Sequence, residues 1–267
     1  MVCPTPIGNL EDVTLRVLAA LREADVVACE DTRRTRVLLD RYGVNARLVS
    51  YHEHNEERRA AELVEDMRAG KTVALVSDAG MPLVSDPGYV LVRAAAAAGI
   101  AVEVLPGPSA VLAALVASAL PADRWRFVGF LPRKKGELRE VLSEPGTLVA
   151  FESPKRVPAA LATLAELTPD REAAVARELT KAHEEVVRGT AGELAARYMD
   201  EPPRGEVVLV IGPLPGRTAD EPGEEAVDAL ARLVEAGAKP RAAAAVVAEL
   251  TGGSANALYR SLSSRRS

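Results

Sequence analysis

Two cysteines, Cys3 and Cys29, are all that the 267 residues contain, and both sit in apolar segments. So sparse a supply excludes a disulfide framework and a thiolate metal cluster, and it suits a reducing, cytoplasmic setting. Histidine is as rare: His52, His54 and His183 offer two neighbouring ligands at most, with no third to complete a metal set. Aromatic residues make up only 3% of the chain, so a core must be assembled from Ala, Val and Leu. No run of about eighteen apolar residues occurs, which excludes a membrane-spanning helix. The Met1-Val2-Cys3-Pro4 start lacks the basic and apolar regions of a secretory signal. Three signature loops are missing as well: GxxxxGK[ST], GxGxxG and GxSxG. Their absence argues against a nucleotide triphosphate, a nicotinamide cofactor and serine-hydrolase chemistry.

Positive charge is also short. The formal charge is −5, so affinity for a nucleic acid cannot rest on net charge. The balance is uneven, with residues 224–267 carrying +1, and basic contributions must therefore be local patches. What the chain does have is length and apolar content. At 48% hydrophobic residues it can bury a sizeable core, enough for two domains and a short appendage.

The first half alternates short apolar runs with helical patterns, the mark of βαβ units. The pattern predicts a helix over 14–23, strands at 25–29 and 72–77, an alanine-rich helix over 87–98 and a strand at 101–105. Ser109 is placed to cap a helix running through 118. An α/β domain then spans residues 1–120. Strands are predicted at 126–130, 147–152, 172–179, 185–189 and 206–212, with helices at 157–167 and 191–198. These make a second α/β domain over 121–213, with a mixed sheet. Residues 213–223 (PLPGRTADEPG) read as a linker. Three short helices follow at 224–235, 241–250 and 254–262, the last two joined by Gly252-Gly253-Ser254. This 224–267 module fits a helix-turn-helix-like unit and a plain helical appendage equally well.

Three Gly/Pro-rich loops each follow a predicted strand: PTPIGNL at 4–10, SDAGMPLVSDPG at 77–88 and PGPS at 106–109. Ligands of open α/β sheets bind where such loops converge at strand carboxyl ends, so the three together predict a ligand cleft. Gly80, Gly88 and Gly107 would let backbone approach a ligand, and the prolines fix the loop shapes. Polar clusters also begin where strands end: EDTRR at 30–34, YHEHNEE at 51–57, PRKK at 132–135, ESPKR at 152–156 and RELTKAHEE at 177–185.

These segments carry a resemblance. TPIGNL, EDTRRT, HEHNE, SDAGMPLVSDPG, LPGPSA, GFLPRK, FESPKR and RELTK, in this order and spacing, resemble the bacterial ribosomal RNA small subunit methyltransferase I family. That family consists of 16S rRNA cytidine 2′-O-methyltransferases within the tetrapyrrole methylase superfamily. The likeness covers essentially the whole chain, including NALYR at 256–260. Met81, Lys155 and Pro4 depart from the Thr, His and Ala usual there, and the three residues before Pro4 leave only a clipped first strand.

The resemblance implies two α/β domains with S-adenosylmethionine in the cleft between them, usually in a homodimer. By motif position the cofactor would meet Ile7 and Gly8, then Ala79, Gly80, Met81 and Val84, then Ser109 and Ala110. Phe151, Glu152 and Leu179 would close it from the second domain. On the reaction side, Arg33 and Lys181 are candidates to fix phosphates, and Glu184 or Glu30 to orient the ribose hydroxyl. Arg133, Lys134, Lys135, Lys155 and Arg156 are the candidate RNA surface, with the assembled small subunit supplying part of the specificity by its shape. Rival readings are a small-molecule tetrapyrrole methylase or a diphthine synthase of the same fold, and a non-catalytic ribosome-assembly factor. HEHNE, ESPKR and the C-terminal module count against the first two, and cofactor binding would exclude the third.

Overall fold

The computed structural model describes residues 1–215, 224–251 and 253–265. Residues 216–223 of the expected linker, Gly252 of the expected turn, and Arg266 lie outside the described residues. Along the chain run α1 (Leu15–Glu23), β1 (Val26–Cys29), α2 (Thr32–Arg41), β2 (Leu48–Ser50), α3 (Glu56–Arg68), β3 (Val73–Leu75), α4 (Tyr89–Ala97) and α5 (Ala110–Ser118). Then come β4 (Trp125–Phe130), α6 (Lys135–Leu142), β5 (Thr147–Glu152), α7 (Val157–Leu167), β6 (Glu172–Arg177), β7 (Glu185–Thr190), α8 (Ala191–Tyr198) and β8 (Val207–Ile211). Three helices close the chain: α9 (Glu224–Glu235), α10 (Pro240–Thr251) and α11 (Ala255–Arg265).

Local chemistry explains where the helices start. Thr14 accepts from the Val17 N–H, Asp31 from Arg33, and Ser109 from Leu112, each filling one orphan donor of a first turn. Thr190 and Glu193 form a reciprocal capping box on α8. In α2 a stripe of Thr35, Leu38 and Leu39 is buried, although five of its ten residues are charged. Both α2 and α3 are absent from the sequence reading, where their charge made them look like polar loop clusters.

The first sheet is parallel, in the order β2-β1-β3. Residues 1–3 slot in beside β3: Cys3 donates to the Leu75 carbonyl, and Val2 makes single bridges to Leu75 and Val104. The strand expected at 101–105 is therefore not a strand but one bridge, at Val104. Val102 and Val104 are exposed, so alternating valines there carry no second ladder. Accordingly, the first and third Gly/Pro loops follow isolated bridges, not full strands.

The second sheet is mixed, as expected, in the order β4-β5-β8-β6-β7 with only β4 and β5 parallel. Its central strand β8 (VVLVI) is buried along its whole length, as a continuous apolar run requires. β6 stops at Arg177, two residues short of expectation, because Glu178 and Thr180 take left-handed backbone at φ 51° and 66°. Behind the sheet, Arg171 is fully buried and donates to the carbonyls of Gly212, Leu142, Glu144 and Gly146 at 2.6–2.9 Å.

What joins the two sheets is α5. Its Val111, Ala114 and Leu115 pack with Ile7 of the first loop against Val149, Ala174, Ala176, Val208 and Val210 of the second sheet. Burying Val111 and Leu115 there stabilises the junction by about 1.5–3 kcal/mol each. The first-sheet loops are thereby pressed onto the second sheet.

Candidate active site

The loops at that junction are laced together. Thr5 and Gly80 exchange both backbone hydrogen bonds at 2.9 Å, the Thr5 hydroxyl donates to the Ser77 carbonyl, and the Ser77 hydroxyl donates to the Gly80 carbonyl. Gly80 sits at φ 79°, which glycine adopts freely, while Leu83 and Ser85 hold φ 73° and 62° without that freedom. Across the junction the Asn9 N–H donates to the Thr180 hydroxyl at 2.9 Å. Gly8 faces Leu179, Thr180 and Lys181 so closely that a Cβ would stand 2.5 Å from the Lys181 Cγ.

Between these loops and the second sheet lies a cavity of about 360 Å³. Ten of the eleven residues expected at the cofactor line it: Ile7, Ala79, Gly80, Met81, Val84, Ser109, Ala110, Phe151, Glu152 and Leu179. Gly8 does not; it lets the first loop close onto the 179–181 turn. The sequence reading missed Phe130, which tilts onto Phe151 with ring centroids 5.5 Å apart, and Asp86.

Polar groups in the wall are few, and two of its carboxyls, Asp86 and Glu152, are raised above their ordinary range. Burial, reinforced by the negative charges of Glu30 and Asp78, pushes the Asp86 carboxyl up to about 6, with the nearby Ser77 hydroxyl opposing weakly. Burial and Asp78 also raise Glu30. Glu152 is buried and raised by burial; its Oε1 accepts from the Ser153 N–H at 2.7 Å, but its Oε2 has no hydrogen bond among the described residues. Arg156 stands 3.3 Å from that oxygen, yet its N–H groups donate to the Leu131 and Pro132 carbonyls.

None of the four reaction-side candidates lines the cavity. Lys181 is tied to Glu178 at 2.9 Å and to Glu206, a wall residue, at 3.0 Å. Glu184 accepts from the Thr180 N–H at 2.5 Å. The Arg33 side chain is 89% exposed and paired with Asp31 at 2.7 Å. Glu30 is the one whose charge acts on a wall carboxylate directly. Of the basic candidates, Arg133 and Lys155 are exposed, Lys134 pairs with Glu137 and Lys135 with Glu166, and Arg156 is spent on the 131–132 turn. Lys135 opens α6, a helix the sequence reading left as loop.

The tetrapyrrole (corrin/porphyrin) methylase family matches residues 2–195. A ribosomal RNA small subunit methyltransferase I from Mesorhizobium japonicum is 49% identical over 97% of this chain and 89% of its own. The chain belongs to that family. A relative of the same name from Escherichia coli O157:H7 is 44% identical over 97% of this chain and 92% of its own. Among solved structures, uroporphyrin-III C-methyltransferase from Thermus thermophilus, complexed with S-adenyl homocysteine, has a TM-score of 0.56 at 24% identity. It covers 79% of this chain and 95% of that one, and shows the shared fold. The two-sheet α/β architecture expected from the resemblance is thus the one the family has.

Proposed function

We propose that this protein is an S-adenosylmethionine-dependent methyltransferase acting on the ribose 2′-hydroxyl of a cytidine in 16S rRNA of the small ribosomal subunit. The observation that carries the reading is a cavity at which Gly/Pro loops of the first sheet and family-motif residues of the second meet. The cavity fits the cofactor: a mostly apolar wall for a nucleoside and thioether, Gly80 for close backbone approach, and a buried Glu152 oxygen that wants a donor. Ile7, Ala79, Gly80, Met81, Val84, Ser109, Ala110, Phe151, Glu152 and Leu179 would hold it. Bound there, S-adenosylmethionine supplies a methyl already activated on a sulfonium. The protein's remaining work is to align a hydroxyl and accept its proton.

Asp86 is the wall group suited to that proton. A carboxylate near 6 is ionised at neutral pH and is a stronger base than an ordinary one. Glu30 then acts behind Asp86 by its charge, and Lys181 acts through Glu206 on the same wall. Arg33 is exposed enough to meet a phosphate. Arg133, Lys134, Lys135 and Lys155 supply basic surface for the RNA; Arg156 supports them by fixing the turn they flank.

In this reading residues 1–120 and 121–213 are the two domains that enclose the cofactor, and 224–267 is a separate helical module. The protein works in the cytoplasm as a homodimer, for which Leu112 and Val116 of α5, 52% and 79% exposed one turn apart, offer apolar surface. No helix among the described residues is long and apolar enough to cross a membrane.

The test is transfer of a tritiated methyl group from S-adenosylmethionine to three acceptors: small subunits lacking native methylation, naked 16S rRNA and a tetrapyrrole precursor. Label recovered as 2′-O-methylcytidine supports the reading. Label in the tetrapyrrole alone overturns the substrate but keeps the cofactor. No label and no cofactor binding overturns both.

A further inference from the structure

A second cavity, of about 470 Å³, opens at the same strand ends but on the other face of the second sheet, the face that α8 covers. The two share chain: Arg177 of the second is two residues before Leu179 of the first, and Arg204 directly precedes Gly205, Glu206 and Val207. We propose that this second cavity binds a phosphate of the rRNA backbone, holding the strand as it passes round the ends of β6 and β8 toward the first; this rests on the rRNA reading above.

Three guanidinium groups line it. Arg177 donates through Nε to Glu185 at 2.7 Å, and Arg197 reaches the other oxygen of the same carboxylate at 3.2 Å. One carboxylate thus serves two guanidiniums, each of which keeps most of its five N–H donors. Arg204 has no ion pair among the described residues. With Glu185 and Glu201 counted, the cavity carries +1 before a ligand arrives. Planar guanidinium forks match phosphate oxygens in pairs, so the arrangement favours that anion over a cation or a neutral group.

The Tyr198 hydroxyl is the second, independent sign. Tyr198 is 5% exposed, and its buried hydroxyl has no hydrogen-bond acceptor among the described residues. The Arg197 guanidinium stands 5.7 Å from the ring centroid and is all donor, so it cannot take the hydroxyl proton. Burial and Glu185 raise the Tyr198 hydroxyl above its ordinary value, so it keeps that proton at neutral pH. A buried donor without an acceptor costs stability, and an acceptor-only ligand removes the cost. Pro202 and Pro203 fix the approach of the chain to Arg204, which limits the ordering needed on binding.

The experiment measures affinity of the full-length protein for unmethylated small subunits across a salt series, with S-adenosylmethionine affinity by calorimetry beside it. Arg204→Glu is expected to weaken subunit binding roughly tenfold and to reduce the slope of log K against log salt by about 0.7–0.9. Tyr198→Phe should weaken it about fivefold, the equivalent of one hydrogen bond. Glu201→Gln should strengthen it about twofold. Cofactor affinity should hold in all three. Unchanged subunit affinity and slope in Arg204→Glu and Tyr198→Phe, with the cofactor still bound, overturns the site. Inorganic phosphate alone provides the other arm: saturable binding that Arg204→Glu abolishes, with subunit affinity intact, assigns the site to free phosphate and overturns the RNA assignment. Failure of the unsubstituted protein to bind subunits overturns the rRNA reading itself, and is told apart because it precedes any substitution.

Discussion

Replacing Asp86 by Asn tests the electrostatics of the cavity wall without emptying it. In the fold the Asp86 carboxyl titrates at about 6, against an ordinary value near 3.8, because it is half-buried and faces Glu30 and Asp78, with the nearby Ser77 hydroxyl opposing weakly. The folded protein therefore holds the proton more tightly than the unfolded chain. Between those two values the native state binds more protons, and stability falls as pH rises. A gap of about 2 pH units makes the ionised carboxylate cost about 3 kcal/mol at pH 7.5. At pH 5.0 roughly half of that cost remains, because the unfolded chain is ionised there and the native state is not. Asp86→Asn abolishes the cost at both. Its stability advantage over the parent, read from urea unfolding, should thus be about 1.4 kcal/mol larger at pH 7.5 than at pH 5.0. Turnover moves the other way. Parent activity should decline below about pH 6 as Asp86 takes up its proton, and the Asn variant should be about 10²-fold or more slower at any pH. An advantage that is the same at pH 5.0 and 7.5 would refute the electrostatic account. An Asn variant with parental turnover would refute Asp86 as the acceptor.

Three further substitutions probe what shapes the site. Gly8→Ala places a methyl against Lys181 and Thr180, both already held by bonds of their own, so S-adenosylmethionine affinity should fall tenfold or more by calorimetry while the far-UV spectrum is unchanged. Arg171→Ala strands four carbonyls, two of them buried, and should cost about 3–5 kcal/mol in thermal unfolding; a loss under about 1 kcal/mol would mean that water replaces the guanidinium freely. Thr190→Ala removes one half of the α8 capping box and should cost about 1 kcal/mol in urea, with cofactor affinity untouched.

Where periodicity and caps agreed, the chain was readable: Thr14 and Ser109 start their helices where expected, and the apolar run of β8 is a central strand. Where charge obscured periodicity, it was not. Thr35, Leu38 and Leu39 bury one face of α2 within TRRTRVLLDR, and α3 hides Ala60, Leu63 and Val64 among eight charged residues. The error at 101–105 ran the other way, since alternating valines mimic a strand until a neighbour is needed to pair with it. Of the three loop glycines expected to admit a ligand, only Gly80 lines the cavity; Gly88 packs against Leu83 and Leu75, and Gly107 against Pro4, so they serve loop packing instead. The cavity's chemistry was less legible. Asp86 stands in a quoted motif, but only its burial among Glu30 and Asp78 distinguishes it from Asp78 itself.

The charged residues of the 177–185 segment show why residue type alone misleads about catalysis. Glu178 and Thr180 hold left-handed backbone without being glycine, a strain of about 1–3 kcal/mol each that persists only where neighbours enforce it. The enforcing bonds come from two of the four reaction-side candidates: Glu184 accepts from the Thr180 N–H, and Lys181 bridges Glu178 to Glu206. Thr180 in turn accepts from Asn9, and Leu179 faces the cavity, so the turn's shape sets both the loop contact and the wall. If Glu184 acts by holding the turn, Glu184→Gln keeps an acceptor oxygen and should retain turnover within about threefold. Glu184→Ala should raise the KM for S-adenosylmethionine several-fold as the turn relaxes. If Glu184 takes the hydroxyl proton instead, Gln fails as badly as Ala in kcat, and KM is unmoved in both. The ratio of the two variants therefore separates a carboxylate that shapes the wall from one that reacts at it.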